Sequence, residues 1–393
     1  RHRDPQIQEV LDIWAARFLH GHIELGDLTA TIERINQWSD WGPEWMKTAR
    51  THEEMGAQAW DEGRRLSAVG FFLSAARCYH LSYFLSVDDE EAHAHGLAKM
   101  LECHDRVLPF MEPAVEKISI PFPEADLSGL LSIPSGDGPR FSALRGEGRA
   151  PLPFQGLPPT LAPLAGGRIS REGGGPFPVV IFLPGLDSTK EQRHGGRGSL
   201  LRRGMAVLSL DGPGQGEISP KLPIRHDYEV AVSAAIDALA GRESLDTTRV
   251  GLIGASLGGY YACRAAAFEP RVIAAVANCG PYRWIDCWDE LPQVTRGAFR
   301  KYSWSSSDEE AREKAKALDL TGVAEKITQP LVVVHGMLDP LIGVDHAQRI
   351  ADEAPNATLI TVDAATHGVS NLSYKFAPWV DDWMAERLGG KVT

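Results

Sequence analysis

The segment VGLIGASLGGYYA (Val250–Ala262) sets one serine, Ser256, among glycines where a β-branched run gives way to an alanine-rich one. Upstream, Arg249 to Gly254 reads as a short buried strand carried by Val250, Leu252 and Ile253. Downstream, LGGYYACRAAAF from Leu257 reads as a helix able to bury one face. Between them, Gly254-Ala255-Ser256-Leu257-Gly258 fits G-x-S-x-G, a strand-to-helix turn that strains the serine backbone and leaves no room for larger neighbours. A helix beginning just after the serine turns its free N–H groups and positive end toward any negative charge formed there. A glycine-tolerant connection in any layered α/β protein reads the same way, so the turn is weighed with what surrounds it.

What surrounds it alternates. From Phe177 the chain runs strand PVVIFLP, helix, strand MAVLSL, helix DYEVAVSAAIDALAG, strand RVGLIG, helix, strand VIAAVAN. After a gap come PLVVVHG, a helix, ATLITV and a last helix through YKFAPWVDDWMAERL. This rhythm predicts an α/β fold with a mostly parallel, doubly wound sheet, whose ligand sites lie beyond the carboxyl ends of the strands. Ser256, Asp339 and His367 each follow such a strand, in the order Ser, acid, His expected of this architecture. A serine hydroxyl needs a base to take its proton, and the base needs a carboxylate to fix its tautomer. We therefore expect Ser256 as nucleophile, His367 as base and Asp339 as its acid, with Asp363 the rival acid. His335, inside a strand end, reads as a core histidine, and Asp345 and His346 as residues of a solvated helix. The oxyanion hole would take the N–H of Leu257 and that of Leu186, in the loop FLPGLDSTKE after an earlier strand.

Before this region, residues 1–112 read as a helical amino-terminal (lid or cap) domain, leaving 113–393 as the catalytic region. Ile7, Val10, Leu11, Trp14 and Phe18 share one helical face, Asp27 is placed to cap LTATIERINQW, and Pro43 suits a first turn. Trp38, Trp41 and Trp45 read as packing between two helices. VEKISIPF and LSGLLSIP predict a β-hairpin. From Pro134 to Pro178, glycine and proline supply 19 of 45 residues, which predicts a flexible surface insertion flanked by strands. A helical insertion at about 281–318 separates the strands bearing Ser256 and Asp339. In it Tyr282, Trp284 and Trp288 suit an aromatic substrate wall and Asp286 a polar contact, though a packed helix explains each singly.

Composition excludes some classes. The 393 residues carry a formal net charge of −12, against a nucleic-acid binder. Five cysteines without a C-x-x-C pair, and no amino-terminal apolar segment, lead us to expect a cytoplasmic protein with reduced thiols. The apolar stretch 66–87 contains Arg77 and His80 and reads as a buried helix, so no membrane partner is expected. DGPGQGE (211–217) has the wrong spacing for a dinucleotide fingerprint, no phosphate loop occurs, and His93 and His95 face different ways on a helix.

Together GASLGG, DGPGQGE, PGLDSTKE, HGMLDPL, THG and the amino-terminal QWSDWGPEW resemble the α/β-hydrolases of the 2,6-dihydropseudooxynicotine hydrolase group. That group includes fungal polyketide-shortening hydrolases and is distantly similar to fermentation–respiration switch esterases. The resemblance spans nearly the whole chain and departs at Pro134–Pro178, where relatives pass between strands by a short turn. It implies an α/β-hydrolase fold with the helical domain over the active site, a small-molecule substrate, no metal or organic cofactor, and often a homodimer. Several members cleave carbon–carbon bonds in β-dicarbonyl compounds. A carboxylesterase on small acyl esters uses the same machinery, and a non-catalytic regulatory protein on this scaffold is the third reading.

Overall fold

The computed structural model describes residues 2–134 and 176–390, so most of the glycine- and proline-rich segment lies outside the described residues. The chain opens with α1 (Pro5–His20), α2 (Leu25–Arg34), α3 (Trp41–Asp61), α4 (Arg65–Tyr83) and α5 (Glu90–Val107). Asp4 starts α1 by accepting from the backbone N–H groups of Gln6 and Ile7 at 2.8 and 3.2 Å. Ile7, Val10, Trp14 and Phe18 then bury one face, while Leu11 is only half-buried. Asp27 does not cap its helix. α2 begins two residues earlier, and the Asp27 carboxylate instead accepts from His52 Nε2 at 2.8 Å. The joint between α2 and α3 is aromatic: Trp38 stacks on Trp41 at 5.4 Å, Trp45 lies 6.1 Å from Trp41, and the Trp41 indole donates to the Leu81 carbonyl at 2.8 Å.

A hairpin follows, β1 (Val115–Ile120) and β2 (Leu127–Ser132), antiparallel with Val115 opposite Ser132 and Ile120 opposite Leu127. The next strands are β3 (Phe177–Leu183), β4 (Ala206–Asp211), β5 (Leu245–Ala255), β6 (Val272–Asn278), β7 (Leu331–Gly336) and β8 (Ala357–Val362). They join the hairpin in one sheet of order β1-β2-β4-β3-β5-β6-β7-β8, parallel from β4 to β8. Burial on both faces makes β3, β4, β6 and β7 largely apolar runs, and the pleat divides their side chains. Val179, Ile181 and Leu183 pack on one side with α7 (Glu229–Leu239), α8 (Leu257–Phe268) and α12 (Val344–Glu353). Val180 and Phe182 pack on the other with α6 (His194–Arg202) and α13 (Ser373–Leu388). Buried side chains of α1 to α5 belong to the first of these cores, so the amino-terminal helices and one sheet face share a continuous interior. Between β6 and β7 come α9 (Trp284–Cys287), α10 (Gln293–Tyr302) and α11 (Asp308–Ala315). Among the described residues, no helix is long and apolar enough to cross a membrane.

Candidate active site

Ser256 joins β5 to α8 with φ +57° and ψ −129°, a conformation that costs a non-glycine residue on the order of 1–3 kcal/mol. The flanking glycines permit it: a Cβ on Gly254 would collide with the Gly258 carbonyl, and one on Gly258 with the Leu183 carbonyl. The turn is held by Ser256 N donating to Asn278 O at 2.8 Å and Gly259 N donating to Ser256 O at 2.7 Å. The loop after β3 lies directly against it, since a Cβ built on Gly185 would stand 3.1 Å from that of Ser256. Leu186, the next residue, is buried in that loop, and Leu257 is the first residue of α8.

His367 and Asp339 meet from two strand-end loops. His367 Nδ1 lies 2.8 Å from Asp339 Oδ2, and Asp339 Oδ1 accepts from the N–H groups of Leu341 and Ile342 at 2.9 and 3.2 Å. Burial pushes the Asp339 carboxyl up, but the His367 charge and these hydrogen bonds outweigh it and hold the carboxyl below the usual carboxylate range. Asp363 is exposed at the end of β8. His335 is wholly buried, donates from Nε2 to Ile342 O at 3.0 Å, and is biased toward its neutral form by burial. His346 is not solvated as its helix suggested: it is buried, and its Nδ1 accepts from Tyr282 N at 3.0 Å.

Ser256 and His367 line one cavity of about 320 Å³ with Leu186, Trp14, Trp284, Thr295 and a rim formed by Arg17 and Asp187. Trp284 is the member of the aromatic set from 282–288 that reaches this wall. Tyr282 turns away, its hydroxyl donating to Glu353 at 2.7 Å and its ring covered by Arg349 at 3.9 Å. Trp288 packs edge-on against Phe299 at 5.6 Å, and Asp286 accepts from Arg283 and Arg349, each at 3.2 Å. Sequence reasoning missed Trp14, Arg17 and Asp187 as parts of this wall. Trp14 was visible only as a core position, and the Arg17–Asp187 pair, 2.6 Å apart, spans 170 residues.

Behind the cavity, DGPGQGE clamps the loop after β3. Gln215 Nε2 donates to Pro184 O at 2.6 Å, and its Oε1 accepts from Gly212 N at 3.0 Å and from the Tyr228 hydroxyl. Deeper still, wholly buried Lys190 reaches Glu191, Glu217 and Asp211 at 2.6, 2.7 and 3.0 Å. Burial pushes the Asp211 carboxyl up, with Lys190 opposing, whereas at Glu191 the Lys190 charge outweighs burial and holds the carboxyl below the usual range. Among the described residues, two groups bring three ligand types within 4.8 Å of one another: Asp27, His52 and Cys78, and Cys279, His335 and Asp339. In the second, Asp339 is already engaged by His367 and two backbone N–H groups.

Comparison with known proteins agrees with this architecture. The family of the alpha/beta hydrolase fold matches residues 178–307. 2,6-Dihydropseudooxynicotine hydrolase of Paenarthrobacter nicotinovorans is 30% identical over 380 residues, covering 95% of this chain and 91% of that protein. A crystal structure of the 2,6-dihydroxy-pseudo-oxynicotine hydrolase superposes with a TM-score of 0.78 at 27% identity, over 96% of this chain and 97% of that one. The 20-hydroxy-prefusarin hydrolase of Gibberella moniliformis is 29% identical over 295 residues, 72% of this chain but only 60% of the fungal protein. Fold and likeness along almost the whole length agree: the chain is a hydrolase and belongs to the α/β-hydrolase family that includes 2,6-dihydropseudooxynicotine hydrolase.

Proposed function

We propose that the chain is a serine hydrolase acting through an acyl-enzyme, and that it hydrolyses a carbon–carbon bond in a β-dicarbonyl small molecule of aryl-ketone or polyketide type. The observation that carries the reading is the convergence of strained Ser256, His367 paired with Asp339, and the Gly185–Leu186 loop on one largely buried cavity. In this reading Ser256 Oγ adds to one carbonyl carbon while His367 takes its proton. The N–H groups of Leu186 and Leu257 hold the oxyanion; each such donor is worth roughly 3–4 kcal/mol of transition-state stabilisation. Collapse re-forms the carbonyl and breaks the bond to the neighbouring carbon, whose electron pair becomes an enolate. His367 returns the proton to that enolate, releasing a ketone. Water, deprotonated by His367, then frees the acyl group as a carboxylic acid, and the reaction balances with water as its co-substrate.

An enolate conjugated with a second carbonyl leaves far more readily than an alkyl carbanion, which is why a 1,3-dicarbonyl or a vinylogous equivalent is the substrate class proposed. The tryptophans of the wall supply flat apolar surface for an aryl or polyene group. The test compares kcat/KM for aryl 1,3-diketones with that for short aryl esters, following products by mass spectrometry. Ketone plus acid from a diketone is the expected result. Turnover of esters alone would make the protein a carboxylesterase, and turnover of neither, with Ser256 unlabelled by fluorophosphonates, a non-catalytic binding protein.

A further inference from the structure

A second cavity, lined by neither Ser256 nor His367, lies on the other side of Arg17. Its volume is about 650 Å³, roughly twice that beside Ser256, and it is lined by α1, α4, α5 and the 189–192 segment. Phe18, Leu73, Ala76, Leu81, Phe84 and Met100 make its walls apolar, and exposed His22 and Gln192 mark its mouth. Arg17 lines both cavities. Its guanidinium donates to Asp187 at 2.6 Å, Ser188 at 3.1 Å and Gln192 at 3.3 Å, and lies 5.0 Å over the Phe84 ring. The partition between the two spaces is therefore a side chain held by the loop that carries Leu186.

The polar side chains of its wall include a buried histidine with an open ring nitrogen. His80 is 4% exposed, its Nδ1 lies 2.9 Å from the Tyr83 hydroxyl, and its Nε2 has no partner among the described residues. Burial pushes the ring down to about 3, so it is neutral, and in the tautomer whose Nδ1 accepts from the Tyr83 hydroxyl the Nε2 carries the N–H. A buried donor without an acceptor is costly and invites one from a ligand. Of the charges in the wall, Glu191 is balanced by Lys190 and Arg17 by Asp187, each at 2.6 Å, while the half-buried Arg77 donates to the His22 carbonyl at 3.4 Å.

We infer that this cavity is a second compartment of the active site, taking the remote part of the substrate: an apolar chain or ring that carries an oxygen acceptor for His80. Arg17 divides it from the space at Ser256, and the reacting carbonyl lies on the Ser256 side while the tail passes Arg17. The inference rests on the proposed hydrolase reading for what reacts, but not for what binds.

The test uses phenyl alkyl ketones, which lack the 1,3-dicarbonyl and so bind without being cleaved. Titration calorimetry of acetophenone, butyrophenone and hexanophenone should show affinity rising with chain length, by up to about fourfold per buried methylene. Ala76→Phe, which projects a ring into the compartment, and the smaller Ala76→Leu should flatten that rise, each variant first checked for an unchanged melting profile. 1-Phenylhexane-1,5-dione should bind wild type more tightly than hexanophenone, and His80→Phe should abolish that difference. A rise that is absent in wild type, or that persists in either folded Ala76 variant, overturns the inference. Loss of turnover of phenyl acetate, phenyl hexanoate and aryl 1,3-diketones alike, with the ketone series intact, would instead overturn the proposed reaction and leave the compartment standing.

Discussion

In the proposed reaction Ser256, His367 and Asp339 hold distinct roles, and substitutions test them. Ser256→Ala and His367→Ala are each expected to lower kcat by on the order of 10⁴–10⁶, and the double variant to be little worse, because the pair acts as a unit. Asp339→Asn should cost around 10⁴, since an amide hydrogen-bonded to Nδ1 favours the wrong tautomer. Asp363→Asn should be nearly silent, because that carboxylate is exposed while Asp339 is the one bonded to His367. The reverse order of the two aspartates would transfer the acid's role to Asp363. Gln215 calls for a different readout, as it touches the Pro184 carbonyl and no reacting atom. Gln215→Leu leaves Gly212 N–H, Pro184 O and the Tyr228 hydroxyl without this partner, each a loss of about 1–3 kcal/mol if no water replaces it. We expect a lower melting temperature and a kcat reduced by tenfold or more with KM little changed, as befits a donor loop displaced by tenths of an ångström. A proportionate rise in KM instead would show that Gln215 shapes ground-state binding.

At the scale of elements, what was legible in the sequence is what local chemistry dictates. β3, β4, β6 and β7 are almost wholly buried, largely apolar runs because both faces are covered, and Ser256 stands out because only glycine fits around its turn. Asp339 and His367 could be read from their positions after strands. Arg17, Asp187 and the Lys190 cluster could not, because a pair 170 residues apart leaves no periodic signal. Tyr282 and Trp288 read as wall residues since aromatic content says nothing of which way a short helix turns. Glu269 is another long-range anchor: just past α8, it accepts from Arg271 Nε at 2.8 Å and Nη2 at 2.8 Å and from Ser233 on α7 at 2.6 Å. The Arg271 hydrogen bond, with those from Ser233 and the backbone, holds its carboxyl down to about 2. Its folded value lies below the unfolded one, so its stabilisation is full above about pH 4.5 and fades as pH falls toward 2. After allowance for solvent screening it is worth on the order of 1 kcal/mol. Wild type should therefore lose more stability than Glu269→Gln between pH 5 and 3 in denaturant titrations, so that the two curves converge. Parallel curves would mean that the carboxylate does not anchor α7 to α8.

At the scale of the whole molecule, the amino-terminal helices supply part of the wall around Ser256 and part of the interior beneath the sheet. Trp14 and Arg17 of α1 face the cavity, and buried residues of α1 to α5 pack continuously with Ile118, Ile120 and Leu131 of the hairpin. A lid joined only by a linker and a wet surface would unfold separately from the sheet, whereas a shared apolar interior couples the two. We expect one calorimetric transition, with a van't Hoff enthalpy close to the calorimetric one. A substitution inside the helices tests the coupling directly. Trp41→Ala removes a wholly buried ring and its bond to Leu81 O, at a cost of roughly 3–5 kcal/mol. If the coupling holds, hydrogen exchange should rise in β1 and β2 as much as in α1 to α5, because opening the helices exposes the sheet. Faster exchange confined to the helices, with protection of the strands unchanged, would show that the two regions open independently and that the helices can lift from Ser256 without unfolding its turn.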